Sequence, residues 1–376
     1  MYLSFYKNKK VFVTGHTGFK GSWLTQWLLM LGAEVYGYAL DPQPHEVLFD
    51  QLGLSGQCAS DTRADLADRA ALSAAIDAAN PDVIFHLAAQ PLVRLSYDIP
   101  IETFATNVMG TAHLLDAARL RNKDCAIVCI TTDKCYENRE WLHAYREEDA
   151  MGGHDPYSAS KGAAELVISS FRNSYFAHRQ HNSAAADIRV ASVRAGNVIG
   201  GGDWAKDRIV PDCIRALREQ QIIPVRNKIA TRPWQHVLEP LSGYLWIGAL
   251  LGTLNDTSNP PIDHFCSAFN FGPALTSNRT VAELVQELLK HTGGEWRDAS
   301  DPHALHEASK LNLATDKAFH LLGWQPVWNF STTIHHTAEW YLEEQRGNVP
   351  SEITIKQILA YQQAAQQLGL PWANQA

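Results

Sequence analysis

The strongest constraint on the fold is a glycine-rich turn that stands between a short apolar strand and a helix. The strand is Lys10–Thr14, and the turn at residues 15–21 reads GHTGFKG. A helix follows, and a further strand begins at residue 34. The large apolar side chains of the helix fall on one face: Trp23, Leu24, Trp27, Leu28 and Leu31. A strand, a glycine turn, a helix and a strand within about 30 residues predict a βαβ unit.

The same alternation of strands and helices continues through the first half of the chain. Further elements are predicted in the order strand, helix, strand, helix, strand, at residues 60–61, 66–79, 82–87, 101–120 and 127–130. Strands that alternate with helices in this way form a parallel, doubly wound sheet. The predicted fold class is therefore α/β, a Rossmann-type sheet joined to a smaller, mixed C-terminal substrate lobe.

The composition of the chain and the length of its predicted elements change near residue 190. Beyond it the predicted elements are shorter, and Pro, Gly and large aromatic side chains are more frequent. We predict a Rossmann domain at residues 1–190, to which later segments can return, and a second lobe at residues 191–376. The segment at residues 351–370 opens with Ser and Glu, which favour a helix start, and is predicted to be a docking helix.

Length, charge and cysteine content narrow the class of protein. A chain of 376 residues suggests about two domains, and a net charge of -8 argues against a nucleic-acid partner, whose phosphates favour a basic surface. The six cysteines lack the paired spacing of a zinc site. We see no apolar run long enough for a signal peptide or a membrane helix. We therefore expect a cytoplasmic protein with reduced thiols, no metal ion and no membrane partner.

The glycine turn also predicts a binding site for a dinucleotide, because backbone N–H groups at the start of the helix would face a pyrophosphate. The gap between its first two glycines is one residue longer than usual. Asp41 follows Gly21 by about 20 residues, where an acid can bind the adenosine ribose and favours NAD over NADP. Arg63 is near enough in sequence to argue for NADP. Asp61 is a candidate for the adenine contact or only the cap of a strand. A turn without a ligand is the alternative.

Polar residues crowd the end of the strand at residues 127–130. The run TTDK follows at residues 131–134, and open α/β sheets bind ligands outside the carboxyl ends of their strands. An ordinary strand-ending turn would also use polar residues. Further on, Tyr157 and Lys161 lie one helical turn apart, so that the ammonium can stabilise a phenolate that is otherwise scarce at neutral pH. Such a pair can take a proton from a sugar hydroxyl while a nicotinamide takes the hydride.

These motifs resemble the extended short-chain dehydrogenase/reductase family. The matching residues are the turn with its glycines, the segments HLAAQ at 86–90 and NVMGT at 107–111, Thr132, and the pair of Tyr157 and Lys161. Residues 194–204, 232–237 and 322–326 look like the members of the family that bind nucleotide sugars. Most 4,6-dehydratases of nucleotide hexoses carry Asp-Glu directly after the hydroxyl residue. This chain carries Asp133 and Lys134 there, and so resembles the branch that acts on CDP-glucose.

The resemblance implies a dehydration without net redox change, in which NAD is tightly bound and regenerated in every turnover. Tyr157 would take the proton of the sugar 4-hydroxyl. Asp133 would protonate the departing 6-hydroxyl, and Lys134 would remove the proton at C5. Thr132 and Lys161 complete the catalytic set. A neutral Lys134 needs a closed pocket, and an ion pair with Asp133 or Glu137 is the structural alternative.

The resemblance also implies which residues bind the two ligands. The contacts to NAD would come from Gly15, Thr17, Gly18, Phe19, Gly21, Asp41, Asp61, Leu87, Ala88, Ala89, Asn107, Tyr157 and Lys161. The contacts to a nucleotide sugar would come from Gln90, Arg94, Asn197, Arg208, Arg232 and His236. Arg194 would be a further cation near the diphosphate. For Arg94 and Arg208, a surface ion pair is the alternative.

A homodimer is implied by the same resemblance, through the helices near residues 101–120 and 157–178. So is a role in deoxysugar synthesis for lipopolysaccharide or another bacterial surface polysaccharide. Two other functions stay open. One is a 4,6-dehydratase or an epimerase that acts on GDP-mannose, dTDP-glucose or a UDP-sugar. The other is an inactive NAD-binding scaffold, against which the presence of Thr132, Tyr157 and Lys161 argues.

Overall fold

Thirteen strands and thirteen α-helices make up the part of the chain that the structure describes. The structure is a computed structural model, and it describes residues 3–42, 47–176, 186–254, 257–300 and 310–374. The strands are β1 (Lys10–Thr14), β2 (Glu34–Ala39), β3 (Ser60–Arg63), β4 (Val83–His86), β5 (Cys125–Ile130), β6 (Ile188–Arg194), β7 (Val198–Ile199), β8 (Ile223–Val225), β9 (Thr231–Pro233), β10 (Gln235–His236), β11 (Ala268–Asn270), β12 (Asn278–Thr280) and β13 (Trp296–Asp298). The helices are α1 (Phe19–Met30), α2 (Leu48–Gln51), α3 (Arg69–Ala79), α4 (Val93–Asp98), α5 (Pro100–Phe104), α6 (Gly110–Arg121), α7 (Pro156–Phe171), α8 (Ile209–Arg218), α9 (Leu238–Thr253), α10 (Val281–Thr292), α11 (Asp316–Leu322), α12 (Phe330–Gln345) and α13 (Pro350–Gln367).

Seven parallel strands form the central sheet, in the order β11, β6, β5, β4, β1, β2, β3. The chain order runs outward in both directions from β1, so the crossover connections change side between β1 and β4. The prediction of a doubly wound parallel sheet is confirmed. A crevice opens at such a change of side, outside the carboxyl ends of the strands, and α/β proteins bind their ligands there.

Helices cover both faces of the sheet because its central strands are apolar on both sides. All six residues of β5 are buried. Helices α3, α6 and α7 pack on one face, around Leu72, Leu114 and Ile168. Helices α1, α9 and α13 lie on the other face, where the rings of Trp27 and Tyr361 meet edge to face at 6.0 Å. Each such side chain contributes about 1.5–3 kcal/mol through burial.

The second lobe is assembled from short pieces. Strand β7 pairs with β10, β8 with β13 and β9 with β12, each as a two-stranded sheet. Helices α10 and α12 pack side by side beside them. Elements of the second half nevertheless belong to the central sheet and its cover, namely β11, α9 and α13. The division near residue 190 stays a prediction.

The predicted helix at residues 101–120 is interrupted in the structure. A π-helical stretch, Ala105–Met109, separates α5 from α6. Inside it, Asn107 accepts a hydrogen bond from the backbone N–H of Gln90 at 2.8 Å and donates one to the hydroxyl of Ser160 at 2.8 Å. Asn107 is buried within this wider helical turn. π-Helical turns of this kind are frequent beside functional sites.

Two findings concern the surroundings of the protein. All six cysteines are free thiols. Within the described residues, the helices are too short or too polar for any of them to span a lipid bilayer.

The predicted docking helix at residues 351–370 corresponds to α13, which packs against α1 and α2.

Candidate active site

A cavity of about 580 Å³ opens at the carboxyl ends of β1, β4 and β5. Its walls come from the glycine turn, the loops after β4 and β5, the start of α7 and two segments of the second lobe. Most of the residues that the sequence singles out meet there: Gly15, Thr17, Gly18, Phe19, Gly21, Leu87, Ala88, Ala89, Arg94, Thr132, Asp133, Lys134, Tyr157, Lys161, Asn197, Arg208 and Arg232. The volume is sufficient for a ligand of the size of a small cofactor or substrate.

The glycine turn has no room for side chains at two positions. A Cβ on Gly15 would lie 2.7 Å from the backbone nitrogen of Ala88, and one on Gly21 would lie 2.0 Å from the carbonyl oxygen of Gly15. Gly15 also has a φ of +73°, which disfavours other residues. Helix α1 begins at Phe19 without a side-chain cap, so its first N–H groups and its positive dipole end are available to a pyrophosphate. The turn therefore fits a dinucleotide.

The two acids that the sequence assigns to the adenosine end do not line the cavity. Asp41 is exposed and lies beyond the end of β2, next to the lining residue Leu40. Asp61 is bound by Nε2 of His16 at 2.8 Å and by the guanidinium of Arg63 at 2.7 Å. Arg63 is thus held by an acid of its own strand, which weakens the case for a 2′-phosphate partner.

Asp133 is a buried polar group of the cavity that is held from two sides. It is 2% exposed and stands in a short 3₁₀ turn directly after β5. The hydroxyl of Thr132 donates to its Oδ1 at 2.9 Å, and the amide of Asn197 donates to its Oδ2 at 3.0 Å. A Cβ on Gly196 would lie 1.9 Å from its Cγ. Gly196 and Asn197, which lie more than sixty positions later in the chain, therefore fix the orientation of this carboxylate.

Tyr157 and Lys161 stand one turn apart at the start of α7, which Asp155 caps by accepting a hydrogen bond from the N–H of Ser158 at 2.9 Å. Burial raises the pKa of Tyr157 to about 12, although a hydrogen bond with Thr132 acts in the opposite direction. Burial also lowers the pKa of Lys161 to about 8, against the attraction of Glu165. Burial is thus the leading influence on the pKa of both groups, whereas the sequence interpretation assigned the main effect to the lysine charge.

Lys20 is a cavity residue that the sequence interpretation missed. It lies in the glycine turn and lines the cavity. Burial lowers its pKa to about 8, and the charges of Arg208 and Asp133 also act on it. Its position between Gly18 and Gly21 is the only signal in the sequence. The direction of the Lys20 side chain depends on where α1 begins, which a sequence motif does not show.

Three of the four predicted arginines line the cavity. Arg208 donates to Asp203 at 2.9 Å, and Arg94 lies 3.6 Å from Asp207, so acids of the second lobe hold both. Arg232 also lines the wall, and its guanidinium donates to the carbonyl oxygen of Thr231 at 3.1 Å.

Arg194, the fourth, requires a correction. It is 3% exposed and does not line the cavity, and its Nε and Nη2 donate to the carboxylate of Glu165 at 2.9 Å and 3.0 Å. The hydroxyl groups of Thr131 and Ser192 donate to the same carboxylate. Arg194 is therefore a buried support of the strand ends and does not face a diphosphate.

Three other candidates lie behind the walls of the cavity. The side-chain amide of Gln90 donates to the hydroxyl of Thr103 on α5 at 2.9 Å, and Gln90 does not line the cavity. Asn107 binds this loop from the π-helical stretch. His236 is fully buried, with its ring between those of Trp23 and Trp328 at centroid distances of 5.7 Å and 4.9 Å. In this structure the three side chains lie outside the lining of the cavity.

Comparisons with known proteins agree with this arrangement. A family model described as GDP-mannose 4,6 dehydratase matches residues 12–337. The chain is 47% identical to a CDP-glucose 4,6-dehydratase from Salmonella typhimurium, over 92% of this chain and 93% of that protein. It is 30% identical to a dTDP-glucose 4,6-dehydratase from Streptomyces antibioticus, over 89% of this chain and 92% of that protein. A solved structure of DesIV, a dTDP-glucose 4,6-dehydratase from Streptomyces venezuelae with NAD and TYD bound, matches with a TM-score of 0.73 and 22% identity, over 91% of this chain and 99% of that one.

Proposed function

The chain belongs to the GDP-mannose 4,6 dehydratase family, and on that premise we propose that it converts CDP-D-glucose to CDP-4-keto-6-deoxy-D-glucose. It is then a lyase of the hydro-lyase kind. The likeness to a curated CDP-glucose 4,6-dehydratase along nearly the whole chain carries the choice of substrate. The Asp133 and Lys134 pair beside Tyr157 in one cavity supports the choice of reaction.

NAD is the cofactor of this proposal. When bound, it accepts a hydride from C4 of the sugar and returns it to C6, so that the cycle has no net redox change. The glycine turn and the start of α1 would hold its pyrophosphate, and Leu87, Ala88 and Ala89 line the cavity beside that turn. Asp41, just outside the lining, is an acid that would repel the 2′-phosphate of NADP.

The residues of the cavity divide the proton transfers among them. Tyr157 takes the proton of the 4-hydroxyl, with Thr132 in hydrogen-bond contact with it. Lys134 removes the C5 proton, which the ketone at C4 makes acidic, and returns a proton to C5 when the hydride adds to C6. Asp133 gives a proton to the departing 6-hydroxyl, so that one water leaves. Asp133 is buried and Lys134 half-buried, and neighbouring positions on one turn suit groups that act on adjacent carbons.

The diphosphate of the substrate needs cations, and the second lobe supplies them at the cavity wall. Arg208 and Arg232 line it from that lobe, and Arg94 lines it from the loop after β4. Guanidinium groups bind phosphate oxygens with two parallel hydrogen bonds. Each acid partner, Asp203 for Arg208 and Asp207 for Arg94, would then share its arginine with the diphosphate.

A homodimer, a cytoplasmic location and a role in deoxysugar synthesis for surface polysaccharide are parts of the same proposal. Large apolar side chains stand exposed on the outer side of the helices that the sequence singled out, among them Ile101 in α5, Leu120 in α6 and Leu166 in α7. Helices α5 and α6 both pack against α7, so a second copy could cover this surface. Six free thiols suit a reducing compartment.

The test compares four nucleotide sugars. The purified protein is incubated with CDP-glucose, dTDP-glucose, GDP-mannose and UDP-glucose in parallel, and mass spectrometry follows the products. We expect CDP-glucose alone to lose one water without net formation of NADH, and the Tyr157→Phe variant to leave it intact. An unchanged mass with altered sugar stereochemistry would identify an epimerase and remove the roles of Asp133 and Lys134. No conversion of any substrate would favour the scaffold.

A further inference from the structure

Two histidines and a glutamate converge on the second lobe where α10 and α12 pack together, and a third histidine lies beside them. His335, His336 and Glu339 lie on α12, and one ligand atom from each lies within 4.8 Å of the others. His291 of α10 adjoins them, with its ring centroid 5.2 Å from that of His335. None of the four lines the cavity described above.

The spacing on the helix places these groups on one face. His335 and Glu339 are four residues apart, which is the separation of neighbours along a helix surface. Nδ1 of His336 lies 3.2 Å from Oε2 of Glu339, and the rings of His335 and His336 are 5.1 Å apart between centroids. His336 is held in place because its ring stacks on Trp328 at 4.0 Å. Two imidazoles and a carboxylate therefore converge on one point near the surface.

The burial of the cluster suits metal binding. His336 and Glu339 are half-buried, whereas His335 is exposed, so an ion at this point would be partly shielded from water. Lys356 contacts Oε1 at 3.1 Å, whereas Oε2 faces His336.

We propose that His335, His336 and Glu339 bind one divalent transition-metal ion, with His291 as a fourth ligand from the neighbouring helix. Imidazole and carboxylate ligands favour Zn²⁺, Cu²⁺ and Ni²⁺ over Mg²⁺ and Ca²⁺, which take oxygen ligands. Two histidines with one glutamate form a known zinc ligand set, and four ligands complete a tetrahedron. Since the ligands come from α10 and α12, a bound ion links these two helices. The proposal is independent of the enzyme activity.

The experiment measures metal binding directly. The full chain is freed of metal with a chelator and titrated with ZnCl₂ by isothermal calorimetry, beside the His335→Ala and Glu339→Gln variants. The matched control is His320→Ala, which removes another exposed histidine of the same lobe. We expect one Zn²⁺ per chain, a loss of affinity of at least about tenfold in the two cluster variants and none in the control.

Two further readings make the result decisive. Cu²⁺ bound to the wild-type chain should show nitrogen hyperfine splitting in its EPR spectrum, and His335→Ala should weaken it. MgCl₂ in place of ZnCl₂ should give no binding heat. The proposal is overturned if the wild-type chain binds no Zn²⁺, or if both cluster variants bind it as tightly as His320→Ala does. Since His335 is exposed, loss of folding is not expected to obscure the comparison.

Discussion

At the scale of single residues, Gly196 leaves the space that the carboxylate of Asp133 occupies. A Cβ at this position would lie 1.9 Å from Cγ of Asp133. The Gly196→Ala variant should therefore push the carboxylate away from Thr132 and Asn197. We expect kcat for the dehydration of CDP-glucose to fall by about 10²-fold or more, the usual contribution of one general acid.

The matched control for this variant is Gly56→Ala. Gly56 is exposed, its added Cβ meets nothing within 4 Å and its φ is not positive. Its kcat should equal that of the wild-type chain, with both proteins checked for folding by circular dichroism. Normal turnover by folded Gly196→Ala would show that the position of Asp133 does not limit the reaction.

Lys134 can be tested as a base against its alternative as an ion-pair partner. In Lys134→Met the oxidation at C4 should still proceed, while the C5 proton stays in place. Absorbance at 340 nm should then rise with CDP-glucose, and loss of water should slow by about 10²- to 10⁴-fold. Glu137→Gln is the control, since Glu137 is exposed and pairs with Arg139 at 3.2 Å. Equal losses in both variants would indicate a structural role for the lysine.

At the scale of secondary structure elements, Glu239 joins α9 to α13 and to the segment before α12. Its carboxylate accepts hydrogen bonds from the N–H of Trp328 at 2.6 Å and from the hydroxyl of Tyr361 at 2.7 Å. Burial raises its pKa to about 7, against these hydrogen bonds. The stability linked to this acid is fully present below the ordinary pKa of 4.5 and is lost as the pH rises through about 7.

The Glu239→Gln variant removes this pH dependence. Between pH 5 and 7.5, the free energy of unfolding of the wild-type chain should fall relative to that of the variant by roughly 2–3 kcal/mol. Urea unfolding at pH 5 and at pH 7.5 gives the two differences, and Glu352→Gln, at the start of α13, serves as the control. A difference between wild type and Glu239→Gln that stays constant across this range would contradict the raised pKa.

Elements also show how far the sequence could predict the structure. The strands and the glycine turn were predictable because period and turn chemistry are local. That Thr132, after β5, lies near Tyr157, at the start of α7, was indicated only by the family resemblance. The interruption of the predicted helix at Asn107 could not be predicted, because it depends on the backbone of Gln90, which lies in another part of the chain. Arg194 was assigned to the diphosphate for the same reason, since its partner Glu165 lies on α7.

At the scale of the whole molecule, the two halves of the chain meet across the cavity. Asn197 of the second half fixes Asp133 of the first, and Asp207 reaches Arg94. The proposed catalytic groups lie in the turn after β5 and at the start of α7, while the proposed cations for a diphosphate come mostly from the second lobe. The cavity therefore needs residues of both halves. Its polar groups stand in local sequence motifs, whereas its walls depend on contacts between distant segments, so the sequence predicts the polar groups more readily.

The outer surface of α5, α6 and α7 predicts the oligomeric state. Ile101 is 75% exposed and Leu166 is 63% exposed, and such side chains on packed helices favour burial against a second copy. We expect light scattering after size exclusion to give twice the chain mass of 41.8 kDa, and the Leu166→Lys variant to give the mass of one chain. Leu142→Lys is the control, because Leu142 is 84% exposed on a loop elsewhere. A wild-type mass of one chain at micromolar concentration would refute the dimer, and dissociation of both variants would place the interface elsewhere.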